Sequence, residues 1–359
     1  MIDRLLQITI ILLFSIAVSV ADPVPIDKAY IALEGEGKIA VVDLQTHKVF
    51  KQIDLSVMRH DTLVSFAPHN VQVAPNGQTV WVTANVHGHH AHHETETDEA
   101  SVADELIVIN PYTDKIKQRR PIAANAHLAH VVISRDGRTA YVNAQDQQRI
   151  YNVDVLWGKV RSSIDITGHK PHGLRLDSTG THAFIAMLSS KELGILDTAA
   201  NTMRYLPLGG AAVQTAVTAD NQHVLVSLYD TKQIADYRKG VITQIALPAD
   251  AKGPVQLYPS TDSKFVYVAD QGYYFDQPIG NTVYKIDLNS QKVIKAIVVG
   301  QAPHGVVTSL DNHFVYVTNL LSDDVSIIDT TTDLEIARIA VGKEPNGISL
   351  WSKKLGGTP

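Results

Sequence analysis

The stretch QAPHGVVTSLDNHFVYVTN, residues 301–319, decides the fold. It contains two short runs rich in β-branched residues, HGVVTSL and FVYVTN, separated by the turn residues Asp311 and Asn312. Two further runs follow, VSIID at 325–329 and ARIAVG at 337–342. A second copy of this unit begins with HKPHGL at 169–174 and continues with AFIA at 183–186 and LGILD at 193–197. Four short strands in about 40 to 45 residues are typical of one propeller blade.

The unit recurs through nearly the whole chain. Aligned on the second strand, its equivalent positions are Pro68, Leu128, Pro171, Ala212, Pro254, Pro303 and Pro345. Most spacings are 41 to 43 residues, and two longer ones, of 60 and 49, mark insertions. The segment EPNGISL at 344–350 has no blade of its own, and the N-terminal unit from Ala29 to Leu55 supplies only three strands. We therefore predict an all-β, seven-bladed β-propeller with four antiparallel strands per blade, its first blade closed by the C-terminal strand.

Domain organisation follows from the repeats. A length of 359 residues alone would suggest two domains, but repeat architectures run longer as one unit. We predict a single propeller domain over residues 22–359, with a histidine-rich loop inserted at 85–100 and an aromatic loop, which includes Tyr273, Tyr274 and Phe275, inserted at 270–280. With 31 basic and 37 acidic side chains, the net charge of −6 argues against a nucleic-acid partner.

The N-terminus has the pattern of an export signal. An apolar stretch from Ile8 to Val18 ends in the small residues Ser19 and Ala21, which fit a signal-peptidase site. The run is shorter than the about 20 residues that a membrane-spanning helix needs. We predict a cleavable signal peptide at 1–21 and a periplasmic or secreted mature protein that does not span a membrane.

The repeats also indicate a relationship. VYVTN at 315–319 resembles the signature of the YVTN-family β-propellers, with weaker copies in AYVN at 140–143 and VYVA at 266–269. The resemblance extends from about Ala29 to Trp351 and implies a propeller scaffold. That family includes surface-layer proteins, exported proteins and relatives that resemble the haem-d1-binding propeller of nitrite reductases. Because fold does not determine function, the site residues must be considered separately.

The sixteen histidines are the main candidates for chemistry, since the chain has no cysteine. The Pro-His pairs that contain His69, His172 and His304 occupy equivalent positions in their blades, where the chain enters the innermost strand. In the third blade the equivalent residue is Ala129, but His130 is adjacent and His127 is near. Imidazoles that converge on the channel axis would form a metal site suited to zinc or copper. Alternatively, Pro-His-Gly is only the turn that enters each blade.

The insertion in the second blade is a second candidate. It places five histidines within seven positions, followed by acidic residues, which is a composition typical of metal binding. These histidines are His87, His89, His90, His92 and His93. The loop would lie on the same face as the Pro-His turns, so that an ion captured by the loop could pass to the channel mouth. The alternative is a solvated polar loop with no physiological metal.

These features favour binding over catalysis. The leading hypothesis is an exported protein that captures a divalent ion, zinc or copper, and holds it for sequestration or delivery, with an exported or membrane protein of metal handling as a possible partner. One alternative is an enzyme or redox protein that uses haem d1 or an open metal site. Another is a protein-interaction scaffold that uses the aromatic loop.

Overall fold

The computed structural model describes residues 26–86 and 102–353. The described residues form thirty β-strands and no helix, and they build seven four-stranded antiparallel sheets and one short hairpin. Each sheet is one blade of a seven-bladed β-propeller, as the repeats predict. None of the described segments forms a helix that is long and apolar enough to span a membrane.

The first half of the ring contains three blades and the hairpin. Blade 1 takes its outer strands from β1 (Asp27–Leu33), β2 (Lys38–Asp43) and β3 (Lys48–Asp54). The hairpin is β4 (Val57–Arg59) and β5 (Thr62–Val64). Blade 2 is β6 (Phe66–Val73), β7 (Val80–Val86), β8 (Ala103–Asn110) and β9 (Lys115–Ala124). Blade 3 is β10 (Leu128–Ile133), β11 (Thr139–Ala144), β12 (Arg149–Asp154) and β13 (Val160–Asp165).

Four blades complete the ring. Blade 4 is β14 (Pro171–Leu176), β15 (His182–Met187), β16 (Glu192–Asp197) and β17 (Thr202–Pro207). Blade 5 is β18 (Ala212–Val217), β19 (Val224–Leu228), β20 (Gln233–Arg238) and β21 (Val241–Ala246). Blade 6 is β22 (Pro254–Pro259), β23 (Phe265–Gly272), β24 (Ile279–Asp287) and β25 (Lys292–Val298). Blade 7 is β26 (Pro303–Thr308), β27 (Phe314–Asn319), β28 (Asp324–Asp329) and β29 (Leu334–Ala340).

The two ends of the chain close blade 1. The last strand, β30 (Pro345–Ser352), is the innermost strand of that sheet and pairs antiparallel with β1, Asp27 opposite Ser352 and Ile31 opposite Ile348. If β1 and β30 did not pair, the ring would be open and each of the two strands would leave an exposed sheet edge. The pairing removes both edges. The predicted closure of the first blade by the C-terminal strand is confirmed.

The core lies between neighbouring blades. Tyr30 and Ile39 of blade 1, for example, pack in one apolar cluster with Val82 and Ile107 of blade 2, and all four are fully buried. Burial on both faces of each sheet explains the nearly continuous apolar runs of the inner strands. The hairpin of β4 and β5, which the repeat pattern did not predict, lies between blades 1 and 2.

Recurrent aspartates end the third strands and cap the turns that follow. The Asp43 Oδ1 accepts the backbone N–H of Gln45 at 2.8 Å, and the Asp329 Oδ1 accepts the N–H of Thr331 at 2.8 Å. These bonds are the turn caps that side-chain aspartates commonly form.

Candidate metal centre

The inner strands share an irregularity at the positions of the predicted histidines. In blade 4 the pairing register shifts between Pro171 and Leu174, and in blade 3 it shifts between Leu128 and Val131. Each shift takes two residues out of the regular ladder, as a β-bulge does. In blades 2, 4 and 7 a histidine occupies the first of these two positions. In blade 3 the histidine, His130, occupies the second.

These positions bring histidines from different blades into one cluster. His69, His130 and His172 each offer a ring nitrogen, and the three nitrogens all lie within 4.8 Å of one another. The rings meet edge to face, with centroids 6.0 Å apart for His69 and His130, 5.6 Å for His69 and His172, and 5.4 Å for His130 and His172. The ring of His304 is 6.4 Å from that of His69, and the ring of His127 is 5.8 Å from it. Below, the histidine triad means His69, His130 and His172.

Several of these ring nitrogens are buried without a hydrogen-bond partner. They are Nε2 of His69, Nδ1 of His130 and Nε2 of His304. In His172 the Nδ1 donates to the Val213 carbonyl at 2.9 Å, which leaves a lone pair on its Nε2. A buried polar atom without a partner costs about 1–3 kcal/mol. A bound cation would satisfy those of these nitrogens that carry a lone pair.

The donor set fits a transition metal. Imidazole nitrogens suit zinc and copper, and zinc binds them at about 2.0–2.1 Å. Around a tetrahedral ion such bonds place two nitrogens about 3.3 Å apart. The triad nitrogens, at separations of up to 4.8 Å, would therefore close on the ion by shifts of roughly 1 Å, which side-chain rotations supply. His304 is the nearby candidate for a fourth ligand.

Burial keeps these imidazoles neutral. Burial, reinforced by the proximity of His69, lowers the pKa of His172 and that of His304 from 6.5 to about 3. Burial first, and then the neighbouring His172 and Arg175, lowers the pKa of His130 well below 6.5. Metal binding requires neutral imidazole, so these residues need lose no proton at neutral pH to become ligands.

A carboxylate that the sequence did not single out orients His69. Glu34, in the turn after β1, lies with its Oε1 3.4 Å from Nδ1 of His69, and its Oε2 accepts a hydrogen bond from the Asn346 amide. Burial would raise the pKa of Glu34, but the neighbouring His69 and the hydrogen bonds from His69 and Asn346 lower it to about 2. An ionised carboxylate that accepts the Nδ1 proton of His69 leaves the lone pair on Nε2, the buried nitrogen without a partner, as in carboxylate–histidine–metal arrangements.

Two glutamines that the sequence did not single out lie beside His130. The side-chain nitrogens of Gln214 and Gln256 each lie 3.5 Å from Nε2 of His130. These glutamines occupy the second irregular position in blades 5 and 6, which is glycine in blades 4, 7 and 1. Glycine is required at 173 because a Cβ there would lie 2.5 Å from the Cα of Gln214 and 2.8 Å from the Val213 carbonyl oxygen. Comparing this second position across the repeats would have identified both glutamines.

The remaining predicted residues lie as follows. His127 is beside the triad, with its Nδ1 3.5 Å from Oδ2 of Asp146. His87, His89, His90, His92 and His93 lie outside the described residues, as does the signal segment 1–21. The aromatic loop joins the second and third strands of blade 6, and Tyr273, Tyr274 and Phe275 are all exposed.

The depressed pKa values predict that the metal-free protein loses stability in mild acid. Each unfolded histidine binds a proton near pH 6.5, whereas folded His172 and His304 do so near pH 3. The stability is therefore complete above pH 6.5 and falls as the pH is lowered from 6.5 toward 3. Thermal melts in EDTA should give a lower Tm at pH 4.5 than at pH 7. The difference in Tm between the two pH values should be smaller in His172→Gln than in wild type. In the exposed-site control His313→Gln it should be the same as in wild type. An equal pH dependence in both variants would contradict the account.

Comparisons with known proteins agree on the fold. No protein-family model matches the chain, and no curated protein sequence matches it. Among solved structures, the chain is similar to the periplasmic gluconolactonase PpgL of Pseudomonas aeruginosa, with a TM-score of 0.69 and 18% identity over 91% of this chain and 99% of that one.

Two further structures are similar over slightly less of the chain. Virginiamycin B lyase from Staphylococcus aureus has a TM-score of 0.63 and 17% identity, over 80% of this chain and 92% of that one. Hydrazine synthase of Kuenenia stuttgartiensis has a TM-score of 0.66 and 13% identity, over 81% of this chain and 94% of that one. At such identities these likenesses establish the propeller fold, and the function must be argued from the site.

Proposed function

We propose that this chain is an exported propeller that binds a divalent transition metal, zinc or copper, for sequestration or delivery. In this proposal the histidine triad, with His304 beside it, holds the ion at the channel mouth. The observation that carries the proposal is the convergence of buried ring nitrogens without partners, contributed by different blades. A turn-only role for Pro-His-Gly would not require the rings of separate blades to meet. The YVTN-type repeats and the signal-like N-terminus support export.

The histidine-rich loop supplies the capture step in this proposal. Its five histidines would collect ions, and the triad would hold them. The loop and the triad can be distinguished by which variants keep a zinc ion. In this experiment the untagged mature protein is loaded with zinc and then dialysed. Wild type should retain one tightly held ion. A variant with all five loop histidines changed to alanine should still retain it, whereas a variant with all three triad histidines changed should not. Retention of the ion by the triad variant would refute the channel-mouth site.

Glu34 provides a test of how the triad is oriented. Glu34→Gln keeps the size of the side chain but removes the charge that holds His69 in its metal-binding tautomer. We expect zinc affinity to fall by about 10- to 100-fold, the usual cost of losing a partner of a ligating histidine. Competition with a chromogenic chelator measures the change.

The matched control for this prediction is Glu36→Gln. Glu36 lies in the same turn, but its carboxylate accepts the Lys343 N–H and pairs with Lys38 rather than with a histidine. The control should bind zinc like wild type. Equal affinity in the two variants would show that Glu34 has no role in metal binding.

A metal-dependent enzyme is the second candidate, because three histidines leave a coordination position for water. That arrangement is typical of catalytic zinc, which lowers the pKa of its bound water. One similar structure is a gluconolactonase, so lactones are the first substrates to assay. Hydrolysis by zinc-loaded wild type but not by His172→Ala would favour catalysis. A visible haem-like absorption band in the purified protein would instead favour a haem-d1-type cofactor.

A further inference from the structure

The aromatic loop of blade 6 is held by contacts with Tyr229 of blade 5. The Tyr229 hydroxyl, from blade 5, donates a 2.7 Å hydrogen bond to the Tyr274 carbonyl of the loop. The Tyr229 ring packs on Gly253, where a Cβ would lie 2.4 Å from it. The same ring meets Phe275 edge to face, with centroids 5.6 Å apart. Blades 5 and 6 therefore jointly hold the turn after β23.

The backbone of this turn is strained. Tyr273, Phe275 and Asp276 have φ values of 69°, 53° and 57°, in the left-handed region that favours glycine. Strain of this kind is retained where the surrounding structure imposes it and clusters at ligand sites. The Phe275 ring in this turn has 73% of its surface exposed, although burial would be favourable for a phenylalanine.

Phe275 projects over a cavity of about 470 Å³ on the channel-mouth face, at the junction of blades 4, 5 and 6. The volume is within the range of small-molecule sites. Its apolar wall is built from Leu188, Ala211, Tyr229 and Phe275, and its polar rim includes Lys170 and Ser189.

The charges at the rim favour an anion. Asp230, the one acidic residue of the wall, is already compensated: its carboxylate pairs with Lys191 at 2.7 Å and accepts the Ala211 N–H at 2.7 Å. Among the described residues, the ion pair of Lys170 is a long one, with its ammonium nitrogen 3.7 Å from Oδ1 of Asp146. The Lys170 ammonium can therefore leave Asp146 and pair with a bound ligand at little cost in free energy.

We propose that this cavity is a binding site for a small aromatic carboxylate. The ring of the ligand lies against Phe275 and Tyr229 in the offset or edge-to-face geometries that aromatic pairs prefer. Its carboxylate pairs with Lys170. None of these residues belongs to the histidine triad, so the proposal does not depend on metal binding.

The test uses the full mature chain, dialysed against EDTA so that no bound metal can attract a carboxylate. The probes are 2-naphthoate, its uncharged amide 2-naphthamide, and cyclohexanecarboxylate, each titrated by calorimetry or ligand-observed NMR. Wild type should bind 2-naphthoate about tenfold more tightly than either of the other two. Phe275→Ala should weaken the binding of 2-naphthoate about tenfold, and Lys170→Gln should abolish the preference for the acid over the amide.

Matched controls come from the opposite face of the ring. Trp157→Ala removes an aromatic side chain that is 74% exposed in the turn between β12 and β13, and Lys264→Gln removes an exposed lysine before β23. Both controls should bind like wild type. Three results would overturn the proposal: no binding at millimolar concentration, equal affinity for acid and amide in wild type, or equal loss in test and control variants. Melting temperatures within a few degrees of wild type would show that the variants are folded.

Discussion

His172→Ala is expected to weaken zinc binding at the channel mouth by at least about 100-fold. A structural zinc site with four ligands is worth about 10–16 kcal/mol, so that one ligand accounts for about 2.5–4 kcal/mol, which is roughly 100- to 1,000-fold in affinity. The lone pair of His172 is on Nε2, because its Nδ1 donates a 2.9 Å hydrogen bond to the Val213 carbonyl. The measurement is calorimetric titration with zinc in a background in which the five loop histidines are alanine, so that the loop cannot mask the loss.

The control for this prediction is His313→Ala. His313 is exposed on the opposite face, and its ion pair within the described part of the chain is with Asp311, at 3.3 Å, so its loss should leave zinc affinity unchanged. If His172→Ala and His313→Ala bound zinc equally well, the triad would not be the binding site. His304→Ala separates a fourth ligand from a bystander: a loss comparable to that in His172→Ala would identify His304 as a ligand.

Asp114→Ala is expected to lower the free energy of unfolding by about 3–5 kcal/mol, the cost of leaving a buried charge unpaired. Lys28 is fully buried, with its ammonium 2.7 Å from Oδ2 of Asp114, 2.7 Å from the Pro111 carbonyl and 5.0 Å from the centre of the Trp351 ring. Lys28 lies on β1 and Trp351 on β30, so this contact joins both closing strands to the turn after β8. Urea unfolding in EDTA measures the change.

Two variants make the prediction for Asp114 specific. Lys28→Met combined with Asp114→Asn removes both charges while keeping an acceptor for the Tyr30 hydroxyl, and it should recover most of the lost stability. Lys38→Met breaks only the partly exposed pair with Glu36 and should cost no more than about 1 kcal/mol. If the double variant were as unstable as Asp114→Ala, the loss would come from packing rather than from the unpaired charge.

The fold was predictable from the sequence because every blade repeats one local pattern. Six of the seven aligned positions are the first residues of inner strands in the structure, and the seventh, Pro68, lies two residues inside β6. The hairpin of β4 and β5 was not predicted, because two three-residue strands leave too short a periodic signal between blades 1 and 2.

The candidate site was predictable only in part. The histidines share a motif, but Glu34 lies in a turn of blade 1 and is 35 residues from His69 in the sequence. It reaches His69 only because the ring brings blades 1 and 2 together. Gln214 meets His130 across the channel from 84 residues away. Contacts of this kind depend on how the blades close, which no local pattern records.

Anomalous diffraction from crystals of the mature protein grown with zinc would show whether the triad holds a divalent metal. A zinc ion bound by the triad should give a strong peak at about 2.0–2.1 Å from a ring nitrogen of each of His69, His130 and His172. A zinc peak elsewhere in the protein, with no density between these three rings, would contradict the proposal.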